Sequence, residues 1–189
     1  MAMLAIPIPD NISKILQSIQ MEGKLIKKDN SDHCTLIYFE DCLDMEDILK
    51  IIPVISDVVK EIKGFNLGVD SYTAFPEGKY GFPIVCKIKN KDLMKMREKI
   101  RKALDSNDIK YSTKFKEFIP HITLSYQDED VKSGKFDEII WPIKNISLYC
   151  GDSNKEKLYV EFPFEGSKEK YSSECLDEMS GYFEKLATL

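Results

Sequence analysis

Several patterns that mark common classes of protein are missing from this chain of 189 residues. Its five cysteines are odd in number and contain no CxxC pair, which argues against a disulfide framework and a thiolate zinc site. No HExxH or DxDxDG pattern offers a metal site, so we expect neither a metal nor another cofactor. No apolar run approaches the roughly 20 residues of a membrane-spanning helix, so we expect no membrane association.

The amino-terminal stretch MAMLAIPIPD lacks the features of a secretory signal. It is apolar for only a few residues, carries no basic residue, and meets Pro7 and Pro9 early. This composition favours a first β-strand. Without a signal for export, we expect reduced thiols in a cytoplasmic protein, or in the host cytoplasm if the protein is viral.

The charge of the chain is acidic overall and uneven along its length. The net charge of −5 is unusual for a protein that binds long nucleic acids through many phosphates. Residues 87–116 nevertheless contain 11 basic against four acidic side chains, whereas residues 127–189 contain eight basic against 14 acidic ones. A basic middle segment on an acidic protein favours a small anionic ligand over a long polymer.

Hydrophobic periodicity predicts strands interspersed with helices along the chain. The predicted strands are 3–8, 34–39, 66–74, 82–89, 118–126, 142–150 and 157–163. The predicted helices are 11–20, a segment from Asp44 toward Gly64, and 91–104. No low-complexity linker divides these elements, so we predict one α+β domain over residues 1–165 and a helical tail over 166–189 that packs against it.

Both histidines of the chain belong to copies of one hexapeptide pattern. His33 begins HCTLIY and His121 begins HITLSY, so both segments read His-x-Thr-Leu-x-Tyr. The Thr, Leu and Tyr content predicts strands, whose side chains alternate between two faces. Each imidazole would then share a face with a threonine hydroxyl about 6.5–7 Å away. The tyrosines have an odd offset from histidine and are expected on the opposite, core-facing side: Tyr38 and Tyr126.

Two such strands suit chemistry at a phosphodiester if they line one groove. Imidazole titrates near neutral pH, so one histidine can accept a proton from the attacking oxygen while the other donates one to the leaving oxygen. The threonine hydroxyls can donate to the non-bridging oxygens, where negative charge rises in the transition state. The predicted catalytic residues are His33, Thr35, His121 and Thr123, with the acid and base roles open between the histidines.

At these residues the sequence resembles the 2H phosphoesterase superfamily, whose hallmark is two His-x-Thr/Ser motifs with apolar neighbours. Pro120, the opening MLAIPIPDNISKIL and the segment WPIKNISLYCGDSNKEKLYVEFPF are also similar to that superfamily. The resemblance covers residues 3 to about 164. It implies a bilobal α+β fold with two sheets flanked by helices, the motifs on facing strands of a central cleft, and metal-independent chemistry. Members include 2′-5′ RNA ligase-like enzymes, cyclic phosphodiesterases and phage anti-CBASS nucleases that degrade cyclic oligonucleotide signals.

Six further side chains are candidates for contacts with the substrate. Lys114 and Lys116, just before the second motif, could hold a flanking phosphate, and are otherwise solvated surface residues. Four aromatic residues flank the glycine-containing loop 76–81, and one of them could stack on a base, or else they fill the core: Tyr72, Phe75, Tyr80 and Phe82.

Three functions are compatible with these features. The first is a metal-independent phosphodiesterase that cleaves 2′-5′, 3′-5′ or 2′,3′-cyclic bonds in short or cyclic nucleotides, as a viral enzyme would to remove a host immune signal. The second is an RNA end-processing or 2′-5′ RNA ligase-type enzyme, which the acidic net charge disfavours. The third is a module that binds a nucleotide without cleaving it, a role that does not require two titrating imidazoles. In each case the expected partner is a small nucleotide or a short oligonucleotide.

Overall fold

The computed structural model describes residues 2–21, 24–30, 32–39, 43–114, 117–151, 157–165 and 168–188. Within these ranges the chain forms ten strands, which are β1 Ala2–Pro7, β2 Leu25–Lys28, β3 His33–Phe39, β4 Phe65–Ala74, β5 Phe82–Lys87, β6 His121–Gln127, β7 Gly134–Ile143, β8 Asn145–Cys150, β9 Lys157–Pro163 and β10 Lys170–Tyr171. The same ranges contain four helices, which are α1 Asp10–Gln17, α2 Met45–Val59, α3 Lys91–Ser106 and α4 Ser173–Leu186.

The strands form two five-stranded sheets in which every described pairing is antiparallel. The first sheet has the order β10-β9-β8-β1-β3, and the second has the order β2-β6-β5-β4-β7. The two motif strands, β3 and β6, belong to different sheets and contact each other. The predicted α+β fold with two sheets is therefore confirmed, and the sheets meet at the two histidine motifs.

Helices α1, α2 and α3 bury one apolar face each in a hydrophobic core that they share with both sheets, whereas α4 contributes Cys175 as its one buried residue. In α3 the buried side chains recur every three or four residues, as an amphipathic helix requires: Leu93, Met96, Ile100 and Leu104. Burial of one such side chain stabilises the fold by roughly 1.5–3 kcal/mol. No helix in the described part of the chain is long and apolar enough to cross a membrane.

Three strands were absent from the sequence prediction, and two helices are shorter than predicted. The missed strands are β2, β7 and β10, while α1 ends at Gln17 and α2 ends at Val59, before Gly64. Strand β7 lies at the edge of the second sheet, where Pro142 is tolerated because an edge strand has an unpaired side. The predicted tail supplies both β10, which pairs with β9, and α4, whose Ser172 cap accepts the backbone N–H of Cys175.

Candidate active site

Both motif strands carry the same irregularity between threonine and tyrosine. The pairing of β3 with β1 skips Leu36, and the pairing of β6 with β5 skips Leu124. Such a β-bulge inserts one unpaired residue and redirects the side chains that follow. The burial patterns of the two strands are accordingly identical, with the first, third and sixth residues partly exposed and the other four buried. The repeated hexapeptide is therefore a bulged strand in both sheets.

The bulges make the prediction for the two tyrosines wrong. Tyr38 lies on the same side of β3 as Thr35, because the Thr35 hydroxyl donates to the Tyr38 hydroxyl at 3.4 Å. Tyr126 occupies the equivalent position of β6 and is also partly exposed. The prediction assumed strict alternation, and one inserted residue moves every later side chain to the other face.

The ring of His33 is oriented by the carboxylate that precedes it. Its Nδ1 lies 2.8 Å from Oδ1 of Asp32. The hydrogen bond from His33 is the largest effect on Asp32 and holds the pKa of that carboxyl below its usual value, against the effect of burial. An ionised carboxylate only accepts, so Nδ1 carries the proton and the neutral ring has its lone pair on Nε2. The negative charge of Asp32 also favours the protonated form of the ring.

The ring of His121 has the opposite environment. Its Nδ1 donates to the backbone carbonyl of Ile119 at 2.7 Å, which again leaves the lone pair on Nε2. Burial lowers the pKa of His121, and the charges of His33 and Lys87 lower it further, while the hydrogen bond with Ile119 opposes them. Phe75 meets the ring edge-on with 4.8 Å between ring centroids. His121 is therefore held neutral near neutral pH, as a proton acceptor must be.

Three observations place the two motifs in one site. The charge of His33 acts on the pKa of His121, although the residues belong to different sheets. The backbone of His121 lies close enough to the thiol of Cys34 to lower its pKa, against the larger effect of burial. Strands β3 and β6 contact each other directly. The two motif strands are therefore neighbours where the two sheets meet, and their imidazoles are close enough for the charge of one to act on the other.

The cysteines near the two motifs are not suited to act as nucleophiles. Burial raises the pKa of Cys34 to about 12, and burial is also the largest cause that raises the pKa of Cys86 to about 12. Thiols with such pKa values are protonated at neutral pH and unreactive. None of the described cysteines is joined to another by a disulfide, and Cys42 lies outside the described residues. The described residues also contain no group of three or more His, Cys, Asp or Glu side chains that could hold a metal ion.

The structure places one of the two predicted lysines near the first motif. The backbone N–H of Lys114 donates to the Ser112 hydroxyl at 3.4 Å, and the backbone N–H of Ser112 donates to the carbonyl of Tyr38 at 2.7 Å. Lys114 thus lies in a segment that runs beside β3. Lys116 is outside the described residues.

The four predicted aromatic residues occupy different surroundings, and Phe75 is the one whose ring meets the His121 ring. Tyr80 meets Tyr126 edge-on at 5.9 Å, so it lies at the tyrosine end of the second motif. Tyr72 lies against Gly134 so closely that a Cβ added there would overlap its ring. Phe82 pairs with Gln127, whose neighbour Tyr126 faces the cleft, and the structure therefore directs Phe82 to the other side of the sheet.

Three residues that contact or act on the two imidazoles were missed by the sequence analysis. They are Asp32, Lys87 and Tyr149, the last with 6.5 Å between its ring centroid and that of His33. Asp32 carries a sequence signal, since an acidic residue directly precedes the first histidine. Lys87 and Tyr149 come from two other strands, β5 and β8, and have no signal in the motif itself.

Arg97 of α3 stabilises the bulge of the first motif. Its Nε donates to the carbonyl of Leu36, the inserted residue, at 2.9 Å. Its guanidinium stacks on Phe118 with 3.9 Å from Cζ to the ring centroid. In the second motif the carbonyl of Leu124 instead accepts the backbone N–H of Asp29 at 3.1 Å. A backbone group thus supports one bulge and a side chain supports the other.

Replacement of Arg97 by methionine is expected to destabilise the protein by about 1–3 kcal/mol, because the Leu36 carbonyl loses a charged donor. The matched control is Arg101→Met, one turn along α3, whose guanidinium bonds only Tyr111 and Glu98 among the described residues. That change should cost no more than about 1 kcal/mol. Urea unfolding of both variants measures the difference, and equal losses of stability would contradict the role of Arg97.

The comparisons with known proteins agree with this geometry. The sequence model described as the 2′-5′ RNA ligase superfamily matches residues 9–154. Three solved structures have a similar fold. TT0787 of Thermus thermophilus has a TM-score of 0.69 and 16% identity, and the match covers 88% of this chain and 99% of that one. For E. coli LigT complexed with NADP+ the TM-score is 0.67, the identity 15% and the coverage 86% and 96%, and for the MHV ns2 PDE domain the TM-score is 0.54, the identity 14% and the coverage 78% and 97%. At these identities the likeness establishes the fold. A search of curated proteins gives no match.

Proposed function

Since the chain belongs to the 2′-5′ RNA ligase superfamily, we propose that it is a phosphodiesterase that cleaves 2′-5′, 3′-5′ or 2′,3′-cyclic bonds in short or cyclic nucleotides without a metal. One observation carries the proposal. The two imidazoles lie on neighbouring strands in different environments, because His33 is hydrogen-bonded to a carboxylate and His121 is buried. When the environments of two titratable groups push their pKa values apart, one group can act as the acid and the other as the base.

These environments support one assignment of the roles that the sequence left open. Neutral His121 accepts the proton of the attacking water or ribose hydroxyl at Nε2 while that oxygen forms its bond to phosphorus. As the bond from phosphorus to the leaving oxygen breaks, protonated His33 donates a proton to that oxygen from Nε2. The hydroxyls of Thr35 and Thr123 donate to the non-bridging oxygens, where charge accumulates. The two rings supply both proton transfers, so the reaction needs no metal-bound water.

The names of the structural relatives support a small nucleotide as the substrate. E. coli LigT has been solved with NADP+, with 3′-AMP and with ATP, each of which is a small nucleotide. The MHV ns2 protein is named a PDE domain. The net charge of −5 of this chain also favours a short or cyclic nucleotide over a long RNA. A cyclic or 2′-5′-linked immune signal fits these requirements and belongs among the substrates to be tested.

A substrate panel in EDTA tests the proposal. The panel contains cyclic dinucleotides, cyclic trinucleotides, 2′-5′ oligoadenylates and nucleoside 2′,3′-cyclic phosphates, with the products separated by chromatography. Turnover of at least one member is expected, and the protein with both histidines replaced by alanine serves as the control. Recovery of every member unaltered, including bound material released by denaturation, would contradict a catalytic function and favour a nucleotide-binding module.

The rate should depend on pH in a way that identifies the base. The acid limb of kcat/KM is expected below the ordinary histidine pKa of 6.5, because burial lowers the pKa of His121 and the rate falls only when that ring becomes protonated. Replacement of Asp32 by asparagine removes the charge that favours protonated His33, so the alkaline limb should move to lower pH. If the acid limb of the Asp32→Asn protein moves instead, His33 is the base and His121 is the acid.

A further inference from the structure

A groove of about 510 Å³ opens on the second sheet beside the catalytic cleft. We call it the lysine groove, and define it by residues 70–73 of β4, Lys87, Lys89, residues 133–135 and Glu138. It contains three lysines against two carboxylates, those of Asp70 and Glu138. None of these lysines lies within 4 Å of a carboxylate oxygen in the described part of the chain. Their ammonium groups therefore remain available to an anionic ligand.

The lysine groove begins at the catalytic base. Lys87 is paired directly with His121 across β5 and β6, and residues paired in this way share one face of the sheet. The ammonium of Lys87 lies 5.4 Å from the centroid of Phe75, whose ring meets the His121 ring at 4.8 Å. A ligand that reacts at His121 therefore has the first lysine of the groove as its neighbour.

From this point the groove extends across three strands. Lys135 of β7 is paired with Ser71 of β4, and both line the groove. Strand β7 is three positions from β6 in the sheet, which corresponds to about 14 Å at about 4.8 Å per strand. The rise per phosphate along a stacked nucleic acid strand is about 3.4 Å. The groove is therefore long enough for more than one phosphate beyond the reacting one.

The remaining lining is polar. The Ser133 hydroxyl donates to the Thr73 hydroxyl at 2.9 Å, which places two hydroxyls between the lysines. Hydroxyls suit contacts with sugar and phosphate.

We propose that the lysine groove binds the sugar–phosphate backbone of an oligonucleotide whose reacting bond lies between His33 and His121. The inference rests on the proposed phosphodiesterase function and narrows its substrate. The preferred substrate carries at least one phosphate beyond the reacting one, and that phosphate lies on the His121 side of the cleft, over Lys87 and toward Lys135.

Substrates that share one reacting bond and differ in length test the inference. The short substrate is adenosine 2′,3′-cyclic phosphate, and the long one is a triadenylate that ends in the same cyclic phosphate. A second pair, the 2′-5′-linked dimer and tetramer of adenylate, covers the other linkage. The ratio of kcat/KM for long over short substrate should exceed one, and Lys135→Gln should lower that ratio about two- to five-fold. For the long substrate, Lys135→Gln should also make the negative slope of log kcat/KM against log salt concentration shallower by about 0.7.

The matched control is Lys99→Gln, an exposed lysine of α3 that lines a different surface, between α2 and α3. It should leave both the ratio and the salt slope unchanged. Equal kcat/KM for the long and short substrates, with a ratio unaffected by Lys135→Gln, would overturn the lysine groove while the phosphodiesterase function stands.

A binding measurement decides the inference even if no substrate is cleaved. In the protein with His33→Ala and His121→Ala, fluorescence anisotropy gives the Kd of 5′-fluorescein-labelled 2′-5′ tetraadenylate. Addition of Lys135→Gln should raise this Kd about two- to five-fold, and addition of Lys99→Gln should not change it. An unchanged Kd with Lys135→Gln overturns the lysine groove, whereas absence of turnover alone overturns the proposed function.

Discussion

Replacement of His121 by alanine is expected to lower kcat by about 10²- to 10⁴-fold, because the reaction loses the base that takes the proton from the attacking oxygen. Replacement of His33 by alanine should have an effect of similar size through loss of the acid. The fold should remain intact, since both rings are partly exposed and their strands are held by buried neighbours such as Ile122. Single-turnover kinetics with the best substrate of the panel measures both effects.

The two histidines should also act as a unit. The protein that lacks both is expected to be about as slow as the slower single variant, since one proton transfer without the other does not complete the reaction. Circular dichroism and thermal unfolding provide the control for folding. Full activity in either single variant would remove that histidine from the mechanism, and effects that multiply in the double variant would argue against a shared transition state.

Replacement of Thr123 by valine is expected to lower kcat by about 10²- to 10³-fold, as loss of one hydrogen-bond donor to transition-state charge does in other enzymes. Valine has nearly the shape of threonine, so the change removes the hydroxyl and little else. KM should change much less than kcat, because the bond strengthens as charge develops on the non-bridging oxygen. Thr35→Val should behave in the same way at the first motif.

The same strand supplies a matched control for Thr123. Ser125 lies on the buried side of β6, and its hydroxyl has no partner among the described residues. Ser125→Ala therefore removes a hydroxyl two residues away without reaching the cleft, and kcat should stay unchanged. Equal losses of activity in Thr123→Val and Ser125→Ala would show that the strand, and not the Thr123 hydroxyl, is responsible.

The repeated motif contained most of the site that could be predicted from sequence. It placed both histidines and both threonines on strands, and the structure brings those strands together. The resemblance to the 2H phosphoesterase superfamily is confirmed by the matched family and by the fold of the solved relatives. Local chemistry was enough here because histidine occurs nowhere else in the chain.

The side chains around the motif could not be predicted in the same way. A bulge at Leu36 depends on how β3 pairs with β1, and nothing in the hexapeptide distinguishes an inserted residue from a regular one. Tyr38 was therefore assigned to the wrong face. Arg97 reaches the bulge from a helix 61 residues later, a contact that only the packed fold creates. Such features depend on how segments distant in sequence are aligned in the fold, and local alternation and periodicity carry no information about that alignment.

Strand β7 shows the same limit in the fold. Its sequence GKFDEIIWPI contains charges and a proline, so it does not alternate as a half-buried strand should. It nevertheless pairs with β4 along most of its length, because an edge strand tolerates both features. The lysine groove depends on this strand, and for that reason no pattern in the sequence indicated it.

Histidine resonances provide the most direct test that both imidazoles hold one phosphate. The chain has only two histidines, so long-range ¹H–¹⁵N spectra contain two imidazole spin systems, which His33→Ala and His121→Ala assign. We expect both neutral rings to carry their proton on Nδ1, as their bonds to Asp32 and Ile119 require. Titration with inorganic phosphate should shift both Nε2 signals along one curve with a single Kd. A response from only one ring, or two rings with different Kd values, would contradict the shared site.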